Sequence, residues 1–475
     1  MAGIFKAYDI RGVVGKDLDD DLAFKIGRAF ASFLNCRRVV VGQDMRSSSA
    51  AMFQALTRGL TQQGADVIRV GVCSTPMSYY ANGKLGADAS IMITASHNPG
   101  EWNGFKLCRE KAIPISGATG IQEIERRVMQ SDFAPASVSP GTISSYDILP
   151  EYVKHVQQLA ALQRPIAIAA DYANAMGCIE SKALAGLMRV DAMYDTLDGT
   201  FPHHEANPLK TETLADLQQK VRAGLPGVAL AKPDCYDFGA AFDGDADRVG
   251  FVDETGAIVP MDMITLLIAQ SILKKQKGVI LYDLRSSWTV REVIEENGGT
   301  PQMCRVGHAF IKQQMRAAHA LFAGELSGHY YFQENYFTES SAMAVLYIAN
   351  LLSQSRVPLS AMIKPFHRYF KSPEINSEVK DPPAVLARLK NQYQGGKQFE
   401  LDGLSVEFTD WWFNVRCSNT EPLVRLNLEA KTQAQLDQRT QELLALIRAS
   451  GIRKEEDRRR TTDASPDKKG GACHP

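Results

Sequence analysis

Runs typical of buried strands alternate with amphipathic helical segments over about the first 365 residues. In the first of three such stretches, apolar residues recur at helical spacing from Leu22 to Leu34, and a strand-like run follows at 38–41. The same stretch predicts a helix over 51–60 and strands over 67–72 and 90–94. Strands that alternate with helices form parallel or mixed sheets with helices on both faces, so the pattern predicts an α/β fold.

Two further stretches repeat this pattern. After residue 146 we predict a strand over 166–169, a helix around 179–188, a turn at 207–209 and a pair of strands flanking 243–248. After residue 259 the predicted elements are a helix over 261–273, a strand over 279–282, a helix over 288–296, a strand over 302–306 and a helix over 309–318. Three α/β domains with mixed sheets are therefore expected, with boundaries at 1–145, 146–255 and 256–365.

The pattern changes after about Pro365. Strands of a mainly antiparallel sheet are predicted over 366–379, 404–408, 411–416 and 424–429, with helices over 382–393 and 433–447. This combination of predicted strands and helices indicates a fourth domain of α+β type, at 366–450. Residues 451–475 are charged and aperiodic, which predicts a disordered tail.

Charge and cysteine content exclude several classes of protein. The chain of 475 residues has 53 Lys and Arg against 54 Asp and Glu, and a formal net charge of −1 gives no overall field to attract nucleic acid or an anionic membrane. The eight cysteines lack the spacing of a zinc site or disulfide framework. There is no signal-peptide pattern and no apolar run long enough to span a membrane. We therefore expect a cytoplasmic protein with no nucleic-acid or membrane partner.

Three carboxylates at two-residue spacing occur in the segment DGDADR at 243–248. The small residues between them allow the loop to curl, so that Asp243, Asp245 and Asp247 can converge on one hard cation. Mg²⁺ is the natural candidate, because the positions that would complete a calcium-binding EF-hand are missing. The alternative is a solvated acidic turn between two strands.

A serine follows a predicted strand in the segment TASHNP at 94–99. Loops at the ends of strands commonly carry function, although Ser96 lacks the flanking glycines of hydrolase serines. If Ser96 receives a phosphoryl group, its anionic oxygens could share the cation of the acidic loop. A Ser/Asn turn without chemistry is the alternative.

Two later loops carry groups that bind sugars and anions. In GELSGH at 324–329, Glu325 and Ser327 suit vicinal sugar hydroxyls, while His329 could meet a phosphate or a proton. In RCSNTEP at 416–422, a guanidinium, hydroxyls, an amide and turn backbone N–H groups could cradle an anion. An ordinary β-turn and a hairpin turn with a structural arginine are the respective alternatives.

Together, in this order and at domain-scale separation, the four loops resemble the α-D-phosphohexomutase family over nearly the whole chain to about residue 450. The segments KAYDIRG at 6–12 and NGFK at 103–106 extend the resemblance. Further segments, VGHAFIK at 306–312 and DWWFNVR at 410–416, are similar to bacterial phosphomannomutases and dual phosphomannomutase/phosphoglucomutases. Phosphoglucosamine mutases differ, because they tend to have Ser-Gly-Thr where this chain has Ser418-Asn419-Thr420.

The resemblance implies an enzyme with three related α/β/α domains and a C-terminal α+β domain around a central cleft. Ser96 would carry a phosphoryl group, with Mg²⁺ held by a phosphate oxygen on Ser96 and by Asp243, Asp245 and Asp247. The catalytic candidates that it implies are Ser96, Arg11, His97, Lys106, Arg248 and His329, of which Lys106 and His329 are candidates for proton handling. The substrate-binding candidates are Arg285, His308, Lys312, Glu325, Ser327, His329, Arg416, Ser418, Asn419 and Thr420.

The activity implied by the resemblance is that of an isomerase that interconverts mannose 1-phosphate and mannose 6-phosphate through a bound 1,6-bisphosphate, feeding GDP-mannose and polysaccharide synthesis. The expected partners are hexose phosphates, with a hexose 1,6-bisphosphate as activator, and the expected state is a monomer or homodimer. A phosphoglucomutase or dual-specificity enzyme is the first alternative. A sugar-phosphate binding protein without turnover is disfavoured, because binding alone needs no phosphorylatable serine beside a metal. A hydrolase is disfavoured because no dedicated water-activating base is apparent.

Overall fold

The structure is a computed structural model that describes residues 3–224, 235–417 and 423–449. The chain divides into two compact units, Met1–Phe366 and His367–Pro475. Within the described ranges, no helix has both the length and the apolar character needed to cross a membrane. The predicted tail at 451–475 and the candidates Ser418, Asn419 and Thr420 lie outside the described residues.

The first sheet of the first unit has six strands. These are β1 (Ile10–Val13), β2 (Arg38–Gln43), β3 (Asp66–Val72), β4 (Ala89–Ile93), β5 (Trp102–Arg109) and β6 (Ile143–Ser145). The accompanying helices are α1 (Asp20–Leu34), α2 (Ser49–Gln62), α3 (Thr75–Leu85) and α4 (Gln122–Gln130). The strand order is β1-β5-β4-β2-β3-β6, and β5 runs antiparallel to both of its neighbours while the other pairs are parallel.

Capping residues mark both ends of helix α1. The Asp19 side chain accepts a hydrogen bond from the backbone N–H of Leu22 and caps the start of α1. Asn35 adopts a left-handed conformation with φ of 48° at the other end of α1. Between these caps, the predicted apolar face, including Ile26 and Phe30, is fully buried.

The second and third sheets have five strands each. The second contains β7 (Ala167–Asp171), β8 (Arg189–Met193), β9 (Phe238–Phe242), β10 (Val249–Asp253) and β11 (Ile258–Val259), with helices α5 (Leu149–Gln157), α6 (Gly177–Glu180) and α7 (Ala215–Ala223). The third contains β12 (Val279–Asp283), β13 (Thr300–Cys304), β14 (Phe322–Gly324), β15 (Tyr330–Phe332) and β16 (Thr338–Glu339). Its helices are α8 (Met261–Lys275), α9 (Trp288–Glu296), α10 (His308–Ala318), α11 (Ser341–Ser355) and α12 (Leu359–Ile363).

The three sheets share one topology. The orders β3-β2-β4-β5, β8-β7-β9-β10 and β13-β12-β14-β15 are equivalent, with three parallel strands followed by one antiparallel strand. In each sheet, the chain passes from a parallel strand directly to the antiparallel strand beside it. The connections β4–β5, β9–β10 and β14–β15 therefore lie at the same end of their sheets. These connections are the segments around 94–101, 243–248 and 325–329, which are the three candidate loops of the first unit. The predicted α/β fold with mixed sheets is confirmed.

In its described residues, 367–417 and 423–449, the second unit contains an antiparallel sheet and two helices. Its strands are β17 (Phe370–Lys371), β18 (Ile375–Glu378), β19 (Lys397–Phe399), β20 (Leu404–Glu407), β21 (Trp411–Cys417) and β22 (Leu423–Ala430). Its helices are α13 (Pro382–Gln392) and α14 (Gln433–Arg448). The order is β17-β22-β21-β20-β19, with β18 also paired to β22. The predicted α+β type is confirmed.

Three predicted elements were wrong in extent. The strand over 366–379 is two short strands, β17 and β18, since Pro373 between them has no backbone N–H for the ladder. The helix around 179–188 is only α6 followed by a 3₁₀ turn to Leu184, because Gly186 has a left-handed φ of 77°. The strand over 302–306 lies two residues earlier, as β13.

Candidate active site

The serine loop and the acidic loop are in direct contact. Ser96 is fully buried, and its Oγ donates a hydrogen bond of 3.0 Å to Asp243 Oδ2 and lies 3.2 Å from His97 Nδ1. A Cβ on Gly244 would lie 2.1 Å from the Ser96 carbonyl oxygen, so only glycine allows this approach. Ser96 also has a left-handed φ of 52°, which is a strained conformation of the kind concentrated at functional sites.

A buried arginine holds the serine loop in this conformation. Arg46 pairs with Asp44 at 3.0 Å, and both side chains are fully buried. Its guanidinium donates hydrogen bonds of 2.5 to 3.0 Å to four backbone carbonyls of the loop, those of Ser96, Asn98, Pro99 and Trp102. Arg46 was missed as a site residue; the available signal was a pair of opposite charges two residues apart directly after β2.

The three aspartates of the acidic loop converge as predicted. Asp243, Asp245 and Asp247 are at most 1% exposed, and one oxygen from each lies within 4.8 Å of the others. Burial and then the neighbouring carboxylates raise the pKa of Asp243 to about 8. Asp245 Oδ1 is buried and has no hydrogen-bond partner among the described residues. An oxygen-only donor set with an unsatisfied carboxylate oxygen fits a hard divalent cation such as Mg²⁺.

Lys106 reaches the same carboxylates from β5. Its Nζ lies 2.6 Å from Asp245 Oδ2 and 2.5 Å from Asp247 Oδ2. Burial alone lowers the pKa of Lys106, but the two carboxylates hold it above its usual value, so Lys106 is a cation and a hydrogen-bond donor. Thr75, which no sequence pattern singled out, donates from Oγ1 to Asp245 Oδ2 at 2.5 Å.

The third loop brings His329 to the acidic loop. His329 Nε2 lies 3.2 Å from Asp247 Oδ1, and Nδ1 lies 3.2 Å from Glu325 Oε2 and 2.7 Å from Ser327 Oγ. Burial lowers the pKa of His329, but Asp247 raises it, and the net value is about 9. Burial raises the pKa of Glu325, but its hydrogen bond with His329 lowers it to about 2. The two side chains therefore form a buried ion pair at neutral pH.

Two arginines and His97 complete the surroundings of Ser96. Arg11 pairs with Asp9 at 2.6 Å and donates to Asn98 Oδ1 at 2.9 Å. Arg248 Nε lies 3.7 Å from Asp243 Oδ2, the oxygen that accepts from the serine hydroxyl. Burial, followed by the charges of Arg248 and Arg11, lowers the pKa of His97 well below its ordinary value, so this imidazole is neutral.

The remaining candidates of the first unit contact other residues than Ser96. His308 packs edge-on to Tyr8, with ring centroids 5.6 Å apart. Arg285 is bound to Asp283 through two hydrogen bonds of 2.9 and 2.5 Å.

Lys312, a predicted substrate ligand, is fully buried, as Ser96 is. It pairs with Glu339 at 2.7 Å and lies 3.9 Å from the Tyr79 ring centroid. Its ammonium is therefore placed to orient Glu339.

In the second unit, Arg416 is held at the end of β21. Its guanidinium pairs with Glu374 at 2.7 Å and is mostly buried. Arg425 lies directly opposite Arg416 in the β21–β22 register and is 3.5 Å from the same carboxylate. Sequence reasoning missed Arg425, although two arginines that flank a short loop on paired strands are brought together by any hairpin.

Comparisons with known proteins match this organisation. Four family models cover nearly the whole chain: phosphoglucomutase/phosphomannomutase alpha/beta/alpha domain I at 2–135, domain II at 150–256, domain III at 260–369 and the C-terminal domain at 374–451. The chain is 37% identical over 460 residues to a phosphomannomutase of Escherichia coli, covering 94% of this chain and 99% of the relative. It is 39% identical over 454 residues to a protein of Xanthomonas campestris described as phosphohexose mutases, covering 94% and 99%.

Solved structures of other proteins show the same fold. A phosphoglucomutase/phosphomannomutase family protein of Burkholderia thailandensis superimposes with a TM-score of 0.85 at 32% identity, over 94% of this chain and 98% of that chain. An N-acetylphosphoglucosamine mutase of Aspergillus fumigatus, solved in complex with GlcNAc-6P and magnesium, shares the fold with a TM-score of 0.56 at 14% identity, over 79% and 91%.

Proposed function

Because the chain belongs to the phosphoglucomutase/phosphomannomutase family, whose members are isomerases of hexose phosphates, we propose that it interconverts mannose 1-phosphate and mannose 6-phosphate. The proposal includes a phosphoserine at Ser96 and a bound 1,6-bisphosphate, which also serves as activator. The observation that carries it is the contact of 3.0 Å between the buried Ser96 hydroxyl and the first carboxylate of a three-aspartate loop. A serine with no role in the reaction would not require a cluster of carboxylates beside its hydroxyl.

Two phosphoryl transfers make up the reaction. In the first, a sugar hydroxyl oxygen bonds to the phosphorus on Ser96, the bond from phosphorus to Ser96 Oγ breaks, and the hydroxyl gives up its proton as Oγ regains one. After the bisphosphate turns in the site, the reverse transfer returns the other phosphoryl group to Ser96. The neutral imidazole of His97, with Nδ1 at 3.2 Å from Oγ, is placed to exchange its proton.

Asp243, Asp245 and Asp247 would hold Mg²⁺, together with a phosphate oxygen on Ser96. When bound, this ion supplies positive charge that offsets the charge on the phosphoryl oxygens during transfer. The convergence of the three carboxylates and the unpartnered Asp245 Oδ1 support the assignment. The magnesium in the Aspergillus fumigatus relative supports it as well.

Cations of this chain surround the transfer position. Arg11, Lys106 and Arg248 face the acidic and serine loops and would neutralise the phosphoryl group in both directions. Lys106 and His329, both protonated at neutral pH, would donate protons or hydrogen bonds to oxygens of the substrate.

The sugar and the distal phosphate would be bound elsewhere. Glu325 and Ser327 are assigned to the sugar hydroxyls, with His308 at the start of α10 and Arg285 after β12 as further candidates. Arg416, with Ser418, Asn419 and Thr420, is assigned to the phosphate that does not react. Lys312, a further candidate for substrate binding, pairs with Glu339 and lies beside the Tyr79 ring.

The proposal takes mannose rather than glucose as the sugar because the Escherichia coli relative is a phosphomannomutase. The Xanthomonas relative favours a second candidate, an enzyme that accepts both sugars. A mannose 1-phosphate product would feed nucleotidyl transfer to GDP-mannose and polysaccharide synthesis in the cytoplasm. The two candidates differ only in how the site treats the configuration at C2.

A kinetic comparison separates these functions. We would measure kcat/KM for mannose 1-phosphate and glucose 1-phosphate with the same bisphosphate activator. The proposal expects a higher value for mannose 1-phosphate, and equal values would establish the dual-specificity enzyme. Release of inorganic phosphate without isomerisation would indicate a hydrolase, and tight binding without turnover would indicate a binding protein.

A further inference from the structure

A buried carboxylate outside the reaction site joins elements of all three sheets of the first unit. Glu180 is the last residue of α6 and is fully buried. Its oxygens accept hydrogen bonds from four donors: Ser74 Oγ at 2.6 Å, Tyr152 OH at 2.6 Å, Ser340 Oγ at 3.4 Å and the backbone N–H of Ala342 at 3.3 Å. No ion pair reaches it among the residues that the structure describes. Burial of a carboxylate without a cation costs free energy of folding, even when the carboxylate is hydrogen-bonded. Glu180 at this place therefore indicates a role beyond packing.

Two of these donors, Ser74 and Ser340, stand at the beginnings of helices. Ser74 is the N-cap of α3, where its Oγ also accepts from the Met77 backbone N–H. Ser340 is the N-cap of α11 and binds the Met343 backbone N–H in the same way. Glu180 therefore ties the start of α3, from the layer of the first sheet, and the start of α11, from the layer of the third, to α6 of the second.

The same three helices hold three successive residues of the acidic loop. The backbone N–H of Met176, which precedes α6, donates to the Gly244 carbonyl at 3.2 Å. Thr75, the residue after Ser74, binds Asp245 through its backbone N–H at 3.0 Å and through Oγ1 at 2.5 Å.

The third contact comes from α11. Ser341, the residue after Ser340, donates from Oγ to the Ala246 carbonyl at 2.7 Å. Ala246 has a left-handed φ of 59°, a conformation that persists only where its surroundings fix it. The loop between two metal-ligating aspartates is thus held from three directions, by helices that meet at one carboxylate.

We propose that Glu180 is a positioning residue that sets the conformation of the acidic loop for its cation by joining α3, α6 and α11. The inference rests on the proposed function, because it takes Asp243, Asp245 and Asp247 as ligands of Mg²⁺. Glu180 does not touch the cation or the substrate. It acts through Thr75, Ser341 and Met176, each of which lies on or beside a helix that Glu180 fixes.

A different polar contact on the same helix provides a matched control. Asn350 on α11 also crosses between the layers of the second and third sheets, accepting from the Ala161 N–H at 2.8 Å and donating to the Leu159 carbonyl at 2.9 Å. It lies ten residues beyond Ser340, or about 15 Å along the helix, and it is buried like Glu180. Loss of Asn350 should therefore cost stability without reaching the acidic loop.

The test measures metal binding directly on the full chain. Mn²⁺ would replace Mg²⁺, and free Mn²⁺ would be followed by electron paramagnetic resonance for the wild type and for Glu180→Ala, Glu180→Gln, Asn350→Ala and Asp245→Asn. Melting temperatures would be recorded for the same samples. We expect Glu180→Ala to raise the Kd for Mn²⁺ by about 10- to 100-fold, as losses of partners behind metal ligands do. We expect Glu180→Gln to raise it less, and Asn350→Ala to lower the melting temperature with Kd within about twofold of the wild type.

Kinetics add a second readout. Glu180→Ala should lose kcat at limiting Mg²⁺ and regain it in excess Mg²⁺, with the KM for sugar phosphate unchanged, since only the affinity for the cation is affected. An unchanged Kd for Mn²⁺ in folded Glu180→Ala would overturn the inference, and so would an equal loss of affinity in Asn350→Ala. If Glu180→Ala does not fold, folded Glu180→Gln with wild-type affinity and wild-type Mg²⁺ dependence overturns it. Failure of the proposed metal site itself is recognised separately, because wild type and Asp245→Asn would then bind Mn²⁺ equally poorly.

Discussion

Ser96 Oγ and Asp243 Oδ2 are 3.0 Å apart, although they lie 147 residues apart in the chain. The contact exists because equivalent connections in two sheets of the same topology meet, with Gly244 allowing the backbones to touch. A phosphoryl group on Ser96 would stand beside carboxylates, and that arrangement is tolerable only if a cation shares their charge. The serine and the acidic loop therefore form one functional element.

Removal of one carboxylate should abolish stabilisation by Mg²⁺. We predict that Mg²⁺ raises the melting temperature of the wild type, because a ligand at about 100 times its Kd stabilises the folded state by about 2.7 kcal/mol. Asp245→Asn should show no such rise, and its melting temperature without metal should fall, because the buried ion pair of 2.6 Å with Lys106 is lost. Differential scanning calorimetry with and without MgCl₂ measures both effects.

The matched control is Asp253→Asn. Asp253 is a buried aspartate on β10 that caps a turn through the backbone N–H groups of Thr255 and Ala257. This variant should keep the full rise with Mg²⁺. A normal rise in Asp245→Asn would remove that residue from the cation site.

Gly244 should tolerate no side chain. A Cβ there would meet the Ser96 carbonyl at 2.1 Å, so Gly244→Ala must push the two loops apart. We predict a loss of about 1–3 kcal/mol in the free energy of unfolding, with loss of turnover even where the protein folds. Gly117→Ala, whose Cβ would meet nothing closer than 3.7 Å, serves as the control in urea titration and should behave as the wild type. Equal activity of the two variants would show that the backbone contact is dispensable.

The sequence predicted most of the sheet strands and the loops that carry chemistry, because both have local signals. Six helices of the described residues were missed: α3, α4, α5, α7, α11 and α12. Twelve of the fifteen residues of α11 are buried, so it lacks the alternation of apolar and polar faces by which helices are recognised. The strand β5 was missed because Lys106 interrupts its apolar run, and the structure shows that this charge is buried against two aspartates.

Residues that act through contacts between sheets could not be found from one sequence. Thr75 is 170 residues from Asp245, and Ser74 is 106 residues from Glu180. A threonine at the start of a helix is ordinary, and only the fold brings it to a carboxylate. Lys312 was a candidate only through the family resemblance, and its pairing from α10 with Glu339 could not be read from the sequence.

Arg416 should affect both directions of the reaction alike. The distal phosphate must be accepted whether it is on C1 or C6, so its donors act by charge and number rather than by sugar position. Loss of a hydrogen bond to a charged group costs about 1.5–3 kcal/mol. We predict that Arg416→Ala raises KM at least about tenfold for 1-phosphate and 6-phosphate substrates, with Ser96 phosphorylation retained.

Steady-state kinetics in both directions check this prediction. Arg439→Ala is the control, since Arg439 lies on α14 of the same unit and pairs with Glu442 at 2.7 Å. It should leave both KM values unchanged. A defect confined to one substrate would show that Arg416 is not part of a shared phosphate site.

His204 should make stability depend on pH. Its Nε2 lies 3.0 Å from Asp171 Oδ2, and burial lowers its pKa while Asp171 raises it, with a net rise. The other groups that face it are the Glu205 carbonyl, the Asp216 carboxylate and the Tyr194 ring, with His203 adjacent in the chain. A histidine whose pKa is raised on folding stabilises the protein below its unfolded pKa, and this contribution is lost as pH rises through the folded value.

The melting temperature of the wild type should therefore exceed that of His204→Gln by more at about pH 5.5 than at about pH 8.5. In an Asp171→Asn background the gap should no longer be larger at the lower pH, because burial, which lowers the pKa of His204, is no longer offset by Asp171. A gap that widens with rising pH would contradict the ion pair.

The central claim is that Ser96 carries the phosphoryl group, and mass spectrometry of the purified protein tests it most directly. Intact mass and peptide mapping should find one phosphate, on Ser96, that transfers to mannose 1-phosphate to give the 1,6-bisphosphate. Ser96→Ala should lack both the phosphate and turnover while keeping the melting temperature of a folded protein, and Ser90→Ala, a buried serine on β4, should keep both. Phosphate on another residue of the active protein, or turnover by Ser96→Ala, would contradict the account.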